Sequence, residues 1–176
     1  NAQQLTVESD WSSASYFYSI AAMSAIGTSI TLSSYKQNSL QGDSALATIY
    51  KSFGVTTTFK DNSVTLQKVE GVTLDTQINF DLKNAPDIAQ TISVTAFGLG
   101  LECHLTGLHT LKIKETDRLV ALKTEIEKLG GQVAITDNSL TLKKATNRQQ
   151  NITIATYNDH RMAMAFAPLA LKVPII

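Results

Sequence analysis

An internal repeat is the sequence feature that most constrains the fold of this chain. The segment from Gly54 to Leu66 matches the segment from Gly130 to Leu142 at an offset of 76 residues, and both copies carry Asp-Asn-Ser between two alternating runs. Polar–apolar alternation is typical of half-buried strands, and Asp and Asn tolerate turn conformations. Each copy is therefore predicted to form a β-hairpin, in a chain built from repeated units.

An apolar helix is predicted near the start of each unit. Asp10, Asp87 and Asp159 each precede an apolar run, and Asp is a preferred N-cap residue. The helices are predicted over residues 12–26, 88–99 and 162–171, and Gly27 is a plausible C-cap of the first. Because these helices are apolar nearly all round, we expect them in the middle of the domain, with the sheets and amphipathic helices outside.

A shorter amphipathic helix is predicted later in each complete unit. Asp43 or Ser44 is expected to cap a helix over 45–53, and Asp117 opens a helix over 119–129. Apolar residues recur every three or four positions in both segments, which gives each helix one buried face.

The order of these elements predicts the domain organisation. Two complete units are expected at about 1–70 and 71–145, and a third begins at about 151–176 with Ile152–Ile154 as a strand. Each unit reads strand, helix, strand, helix, strand, strand, which indicates an α/β (α+β) domain with pseudo-three-fold symmetry. The chain starts without Met and stops soon after the third unit begins, so we expect a fragment of a longer polypeptide.

Composition narrows the possible partners. The 15 basic and 15 acidic residues give zero net charge, which argues against nucleic acid as the main partner. The single cysteine, Cys103, lies in an apolar run and is expected to be a buried thiol. The sequence shows no Cys/His cluster with metal-ligand spacing, no signal peptide and no membrane span, so the default location is cytoplasmic.

Charge is concentrated at two predicted helix starts. The seven residues from Lys112 to Arg118 carry five charges in a chain that is only 17% charged, and Asp159-His160-Arg161 opens the last apolar helix. Free N–H groups and the helix dipole attract anions to such positions, and Lys or Arg strengthens that attraction. The two clusters therefore predict a binding site for a phosphate or carboxylate, and their acidic residues could transfer protons there.

Five short runs extend from one end of the chain to the other. They are Val7–Asp10 with Ser12–Phe17, Asn38–Asp43, Ala85–Asp87, Lys114–Arg118 and Asp159–Met164. These runs resemble motifs of one enzyme family, the 3-phosphoshikimate 1-carboxyvinyltransferases, or 5-enolpyruvylshikimate-3-phosphate (EPSP) synthases, and they occur in the family's order.

The resemblance implies a fold and an activity. The family's enzymes have two inverse α/β barrel-like domains, each of three βαβαββ units, with the active site in the cleft between them. This chain would cover most of one domain, without the partner domain and the C-terminal end. The implied reaction transfers the carboxyvinyl group of phosphoenolpyruvate to the 5-hydroxyl of shikimate-3-phosphate and needs no cofactor. The complete protein is expected to be a monomer.

The resemblance also implies which residues bind the substrates. Arg118 and Arg161 match positions that hold phosphoenolpyruvate, and a guanidinium pairs bidentately with carboxylate or phosphate. Lys114 matches a lysine that binds shikimate-3-phosphate. Thr110 stands where family members often carry an asparagine that contacts the same substrate.

Three further residues match catalytic positions. Asp87 corresponds to the proposed general base on the shikimate-3-phosphate hydroxyl and also contacts that substrate. Glu115 is suited to protonate the methylene carbon of phosphoenolpyruvate. His160 is assigned either proton transfer or an orienting role.

Two other readings stay open at this point. A sister enolpyruvyl transferase acting on UDP-N-acetylglucosamine shares the implied fold, but it does not carry the Lys114–Arg118 and Asp159–Met164 runs together. A non-catalytic anion-binding or scaffold module would explain the repeated hairpins. It would not explain why only the second copy carries Lys-Glu-Thr-Asp-Arg where the first has Leu-Gln-Gly-Asp-Ser.

Overall fold

A computed structural model of the chain describes residues 7–70, 77–145 and 147–176. The described helices are α1 (Trp11–Met23), α2 (Leu46–Ile49), α3 (Ala89–Leu99), α4 (Arg118–Lys128) and α5 (His160–Phe166). The described strands are β1 (Ser29–Ser33), β2 (Val55–Lys60), β3 (Ser63–Lys68), β4 (Gln77–Asp81), β5 (Glu102–Thr106), β6 (Gln132–Ile135) and β7 (Leu140–Lys143). Turns of 3₁₀ helix cover Gly42–Ala45, Tyr50–Phe53, Pro86–Ile88, His109–Ile113 and Ala167–Leu171.

The strands form two sheets that follow the predicted repeat. The first sheet has the order β1-β3-β2 and is antiparallel, and the second has the order β4-β5-β7-β6 with only β4 and β5 parallel. A parallel bridge between Ile152 and Ile175 repeats the β4–β5 pairing around α5. The strand expected near the start of the chain falls among residues 1–6, outside the described residues.

Helices α1 and α3 form the centre of the molecule. Most of their side chains are buried, and both helices also contact α5. Ser15 bonds Thr91 at 2.9 Å and Ser19 bonds Thr95 at 2.8 Å, and each pair is separated by 76 residues, the offset of the repeat. Matching positions of two units therefore meet, as they do near a symmetry axis. The predicted fold class is confirmed.

The amphipathic helices cover the central ones from outside. Helix α4 contacts both α3 and α5 and buries Leu119, Leu122 and Ile126, which recur on one face. The segment that contains α2 contacts α1, and its Tyr50 Oη lies 3.0 Å from Thr95 Oγ1 of α3. Each amphipathic helix thus sits beside two central helices.

The predicted N-caps are confirmed at Asp10, Asp117 and Asp159 and wrong at Asp87. The side chains of Asp10, Asp117 and Asp159 accept from backbone N–H groups at the starts of α1, α4 and α5. Asp87 caps no helix, because it lies inside the 3₁₀ turn that begins at Pro86 and makes no capping hydrogen bond. Its carboxylate instead meets three cationic side chains, described below.

Other local predictions were also wrong in detail. Asp43 and Ser44 lie inside the 3₁₀ turn Gly42–Ala45 and cap nothing, because the Asp43 carboxylate accepts from Ser12 instead. The segment 45–53 is α-helical only over α2. Helix α1 ends at Met23, where Ser24 bonds back to the carbonyl of Ile20 at 2.7 Å, so Gly27 is not its C-cap. Similarly, 167–171 is 3₁₀ rather than α-helix. The strand expected at Ile152–Ile154 does pair in parallel with the end of the chain, because the Ile176 N–H donates to the Ile152 carbonyl and the Ile154 N–H to the Ile176 carbonyl.

The two Asp-Asn-Ser hairpins form, with different turns. In the first, Asp61 and Asn62 have φ of 49° and 57°, which gives a two-residue turn of the kind that matches strand twist. In the second, the loop spans residues 136–139, and the Thr136 hydroxyl lies 2.6 Å from that of Ser139. Side-chain hydrogen bonds of this kind compete with backbone turn geometry, so one motif forms two structures.

Candidate functional site

Arg118 is the centre of a charged cluster formed by both predicted helix starts. It is the first residue of α4, and its side chain is only 1% exposed. Its Nε donates to Asp159 Oδ2 at 2.7 Å, and its Nη2 donates to Asp159 Oδ1 at 3.3 Å. Such bidentate, charge-assisted pairing fixes the guanidinium plane between α4 and α5.

Asp87 brings the third element into this cluster. Its Oδ1 lies 3.2 Å from both Lys114 Nζ and Arg118 Nη1, and its Oδ2 lies 3.5 Å from Arg161 Nη2. The Asp87 side chain is 27% exposed, so a ligand can still reach it. The Asp87 carboxylate, in the turn before α3, therefore contacts cationic side chains from the segments that begin α4 and α5.

Glu115 completes the cluster at its solvent side. Its Oε2 accepts from Arg118 Nη2 at 2.5 Å, while 47% of its side chain remains exposed. The cluster then contains three cations and three carboxylates and carries no net formal charge. These six residues are Asp87, Lys114, Glu115, Arg118, Asp159 and Arg161.

Asp159 has two structural tasks in the cluster. It pairs with Arg118 and also caps α5 by accepting from the Arg161 N–H at 2.8 Å. Burial by itself would raise the pKa of Asp159, but these hydrogen bonds and the charge of Arg118 outweigh it and hold the pKa below its ordinary value. Asp159 is therefore an ionised, buried anchor.

Further polar groups border the cluster. With its amide nitrogen donating to the Asp87 carbonyl, Gln90 places its oxygen 3.1 Å from Arg118 Nε. On the other side, Ser12 donates to the carboxylate of Asp43. Burial raises the pKa of Asp43 and the nearby charge of Asp87 raises it further, against the lowering effect of the Ser12 hydrogen bond.

Two predicted site residues lie apart from the ion-pair cluster. The His160 side chain is exposed and makes no hydrogen bond to another described residue. The Thr110 hydroxyl is buried and likewise has no partner among the described residues. Lys112, from the same charged run, pairs with Asp137 at 2.7 Å instead.

Sequence reasoning missed the importance of Asp159 and the presence of Gln90. The sequence places Asp159 at an N-cap and in the charged run with His160 and Arg161, but it does not reveal the ion pair with Arg118. Gln90 lies one helical turn after Asp87, and a polar residue on an otherwise buried helix is a signal of the same kind.

The described residues contain neither a membrane-spanning helix nor a metal-binding group of side chains. No helix in the described ranges is long and apolar enough to cross a membrane. Within the same ranges, no group of three or more His, Cys, Asp or Glu side chains is arranged to hold a metal ion.

Comparisons with known proteins agree on one family. The family model for EPSP synthase (3-phosphoshikimate 1-carboxyvinyltransferase) matches residues 1–175. A 3-phosphoshikimate 1-carboxyvinyltransferase of Bacteroides fragilis is 43% identical over 173 residues, which is 97% of this chain and 42% of that protein. The enzyme of the same name from Histophilus somni is 35% identical over 97% of this chain and 38% of its own length.

Solved structures show the same fold. EPSP synthase from Acinetobacter baumannii superposes with a TM-score of 0.73 at 21% identity, covering 94% of this chain and 40% of that one. The enolpyruvyl transferase NikO from Streptomyces tendae gives a TM-score of 0.57 at 15% identity, covering 97% and 38%. The chain thus spans about two fifths of the length of the relatives it matches. On the family model and the sequence identities, it belongs to the EPSP synthase (3-phosphoshikimate 1-carboxyvinyltransferase) family.

Proposed function

We propose that the polypeptide containing this chain transfers the carboxyvinyl group of phosphoenolpyruvate to the 5-hydroxyl of shikimate-3-phosphate and releases phosphate. This reaction is a step in aromatic amino-acid synthesis. The observation that carries the proposal is the six-residue ion-pair cluster, which gathers an acid, a base and three cations at one exposed edge of a family member.

The cations of the cluster are the proposed binding groups for the substrates. Arg118 and Arg161 would hold the carboxylate and phosphate of phosphoenolpyruvate, since guanidinium forks match both groups. Arg118 Nη2 and Nη1 are occupied by Glu115 and Asp87, so an incoming anion must displace one of these carboxylates. Lys114 would bind shikimate-3-phosphate beside Asp87, whose Oδ1 lies 3.2 Å from Lys114 Nζ.

The two displaceable carboxylates are the proposed proton-transfer groups. In the addition step, Asp87 takes the proton of the 5-hydroxyl, and the hydroxyl oxygen bonds to C2 of phosphoenolpyruvate. Glu115, protonated after it is displaced from Arg118, donates a proton to C3 and becomes a carboxylate. In the elimination step, the Glu115 carboxylate takes a proton from C3 as the bond from C2 to the phosphate oxygen breaks, with the electron pair leaving on phosphate. The cations stabilise the charge that develops on the leaving phosphate.

Two further residues are proposed as supporting groups. His160 is exposed beside Arg161, where it is suited either to proton transfer or to orienting substrate. The buried Thr110 hydroxyl has no partner among the described residues, which leaves it free to accept or donate a hydrogen bond to shikimate-3-phosphate.

The test is phosphate release by the complete polypeptide with both substrates. Glu115→Gln should lower kcat by about 10²–10⁴-fold, because it removes the proposed acid. Lys114→Met should also lose activity. Lys112→Met is its matched control, because Lys112 lies two residues away but pairs with Asp137. No phosphate release from the folded parent protein would refute the proposal. If phosphoenolpyruvate releases phosphate only when UDP-N-acetylglucosamine is the acceptor, the result favours the sister enzyme.

We also propose that the third unit is completed by residues beyond Ile176. An apolar groove of about 290 Å³ separates α1 from the end of the chain and is lined by Tyr16, Ile20, Met164 and Leu171 among others. The groove lies between α1 and α5, just as α4 lies between α3 and α5. A third amphipathic helix would fill it. Accordingly, an apolar dye should bind this chain more strongly than the complete polypeptide, and equal binding would contradict the proposal.

The remaining expectations concern the intact protein. We propose that it is a cytoplasmic monomer with a second domain opposite this cluster, and that the present chain alone binds phosphoenolpyruvate weakly without turnover. The single cysteine is a buried free thiol, which supports this location because disulfides are rare in cytosolic proteins. Product formed by the purified chain alone would refute the two-domain requirement.

A further inference from the structure

A second buried carboxylate lies on α4, two turns after Arg118 and outside the cluster. Glu125 is fully buried, and both of its oxygens lie 2.8 Å from Lys128 Nζ. Its Oε2 also accepts from the Ala155 N–H at 3.2 Å, and its Oε1 accepts from Tyr157 Oη at 2.5 Å. Two of its three donors therefore belong to one short loop.

That loop ends at the proposed active site. The Asp159 N–H donates to the Thr156 carbonyl at 2.9 Å, which closes a turn whose central residues Tyr157 and Asn158 have φ of 58° and 53°. Positive φ is unfavourable for residues other than glycine, so two in succession need support from surrounding contacts. The residues directly after this turn are Asp159, His160 and Arg161.

We propose that Glu125 is a positioning residue that anchors the 155–158 turn and so fixes Asp159 against Arg118 and Arg161 against Asp87. Helix α4 then holds the loop at two points, through Arg118 at its first residue and through Glu125 two turns later. The effect of Glu125 on substrate binding rests on the proposed function, whereas its anchoring of the turn does not.

The chemistry of the contact suits an anchor. Burial, followed by the hydrogen bond and charge of Glu125, raises the pKa of Tyr157 to about 12. The Tyr157 hydroxyl therefore keeps its proton and stays a donor at any working pH. Lys128 supplies the positive charge that the buried Glu125 needs.

The experiment compares three variants of the complete polypeptide. Glu125→Gln and Tyr157→Phe each remove one side of the anchor, and Glu127→Gln is the matched control, an exposed carboxylate on the same helix that pairs only with Lys123 at 3.8 Å. The first two variants should raise KM for phosphoenolpyruvate about 10-fold, with a smaller change in KM for shikimate-3-phosphate, because the turn leads directly into α5, whose second residue is Arg161. The control should change neither constant.

A second readout does not depend on turnover. The Arg118 Nε–H group, which is buried against Asp159, gives a nitrogen-15 NMR signal whose exchange with solvent reports the loop position. Exchange should be about 10-fold faster in both anchor variants and unchanged in Glu127→Gln. If the parent protein releases no phosphate, the proposed function fails while this readout still tests the anchor.

The inference is overturned if the anchor variants keep the parent's exchange rate, whatever their melting temperatures. It is also overturned if Glu127→Gln accelerates exchange as much as Glu125→Gln does. If Glu125→Gln does not fold, Tyr157→Phe decides the question, because Tyr157 is a partly exposed loop residue whose loss leaves the buried carboxylate paired with Lys128.

Discussion

Two replacements of Asp159 should measure separately what its ion pair with Arg118 and its capping of α5 contribute to the free energy of unfolding. Breaking a buried pair by removing one partner costs about 3–5 kcal/mol. Arg118 keeps its contacts with Asp87 and Glu115, so we expect the lower end, about 3 kcal/mol, for Asp159→Asn, which retains an N-cap side chain. Asp159→Ala also loses the cap, worth about 1 kcal/mol, and should cost about 4 kcal/mol in total.

The assay is urea unfolding followed by the fluorescence of Trp11, the single tryptophan of the chain. The matched controls are Asp10→Asn and Asp10→Ala, because Asp10 caps α1 without a buried arginine partner. The asparagine control should cost almost nothing, and the alanine control about 1 kcal/mol. If Asp159→Asn costs no more than Asp10→Asn, the buried pair does not stabilise the fold and the reasoning fails.

The same pair makes a prediction about pH. The pKa of Asp159 is lowered in the folded state, so the stabilisation is fully present above the unfolded-state pKa of about 3.9. It is lost as the pH falls through the lower, folded-state pKa. The difference in unfolding free energy between the parent chain and Asp159→Asn should therefore persist at pH 5 and shrink below about pH 3.9.

Three further predictions follow from close packing and burial. A Cβ on Gly42 would overlap the backbone oxygen of Asn84, three residues before Asp87, so Gly42→Ala should cost about 1–3 kcal/mol in thermal unfolding and lower phosphate release. Burial raises the pKa of Cys103 to about 12, so a disulfide reagent at pH 8 should label this thiol only in urea. Burial also raises the pKa of Asp43, whose ionisation therefore opposes folding; Asp43→Asn should raise the melting temperature at pH 7, and the gain should vanish below the unfolded-state pKa.

Each of these has its own control. Gly27→Ala meets open space at φ 88°, so it reports backbone strain without overlap, and an equal loss of activity there would contradict the packing argument. Rapid labelling of Cys103 in the native chain would show that the thiol is accessible. Asp61→Asn, at an exposed hairpin turn, should leave the melting temperature nearly unchanged.

The elements that could be predicted were those specified by local pattern. Apolar runs after Asp10 and Asp159 formed capped helices, and both Asp-Asn-Ser segments formed hairpins. These features depend on a few neighbouring residues, which the sequence displays directly.

The wrong predictions arose where a distant partner decided the local structure. Asp87 looks like Asp10 in sequence, yet its carboxylate is held by Lys114, Arg118 and Arg161 from two other elements. The two hairpins differ for a local reason instead, because the Thr136 hydroxyl bonds that of Ser139 within the second turn. The family resemblance supplied the site residues, but only the fold reveals that their charges cancel within the cluster.

The pairing of Ser15 with Thr91 and of Ser19 with Thr95 has a consequence for the history of this chain. When corresponding positions of two copies touch, a change in one copy alters the surroundings of its own counterpart. A bulky replacement at position 15 would have to be accommodated by a smaller residue at position 91. Substitutions at these positions of one copy are therefore coupled to the residues at the same positions of the other, because the two central helices share one packed volume.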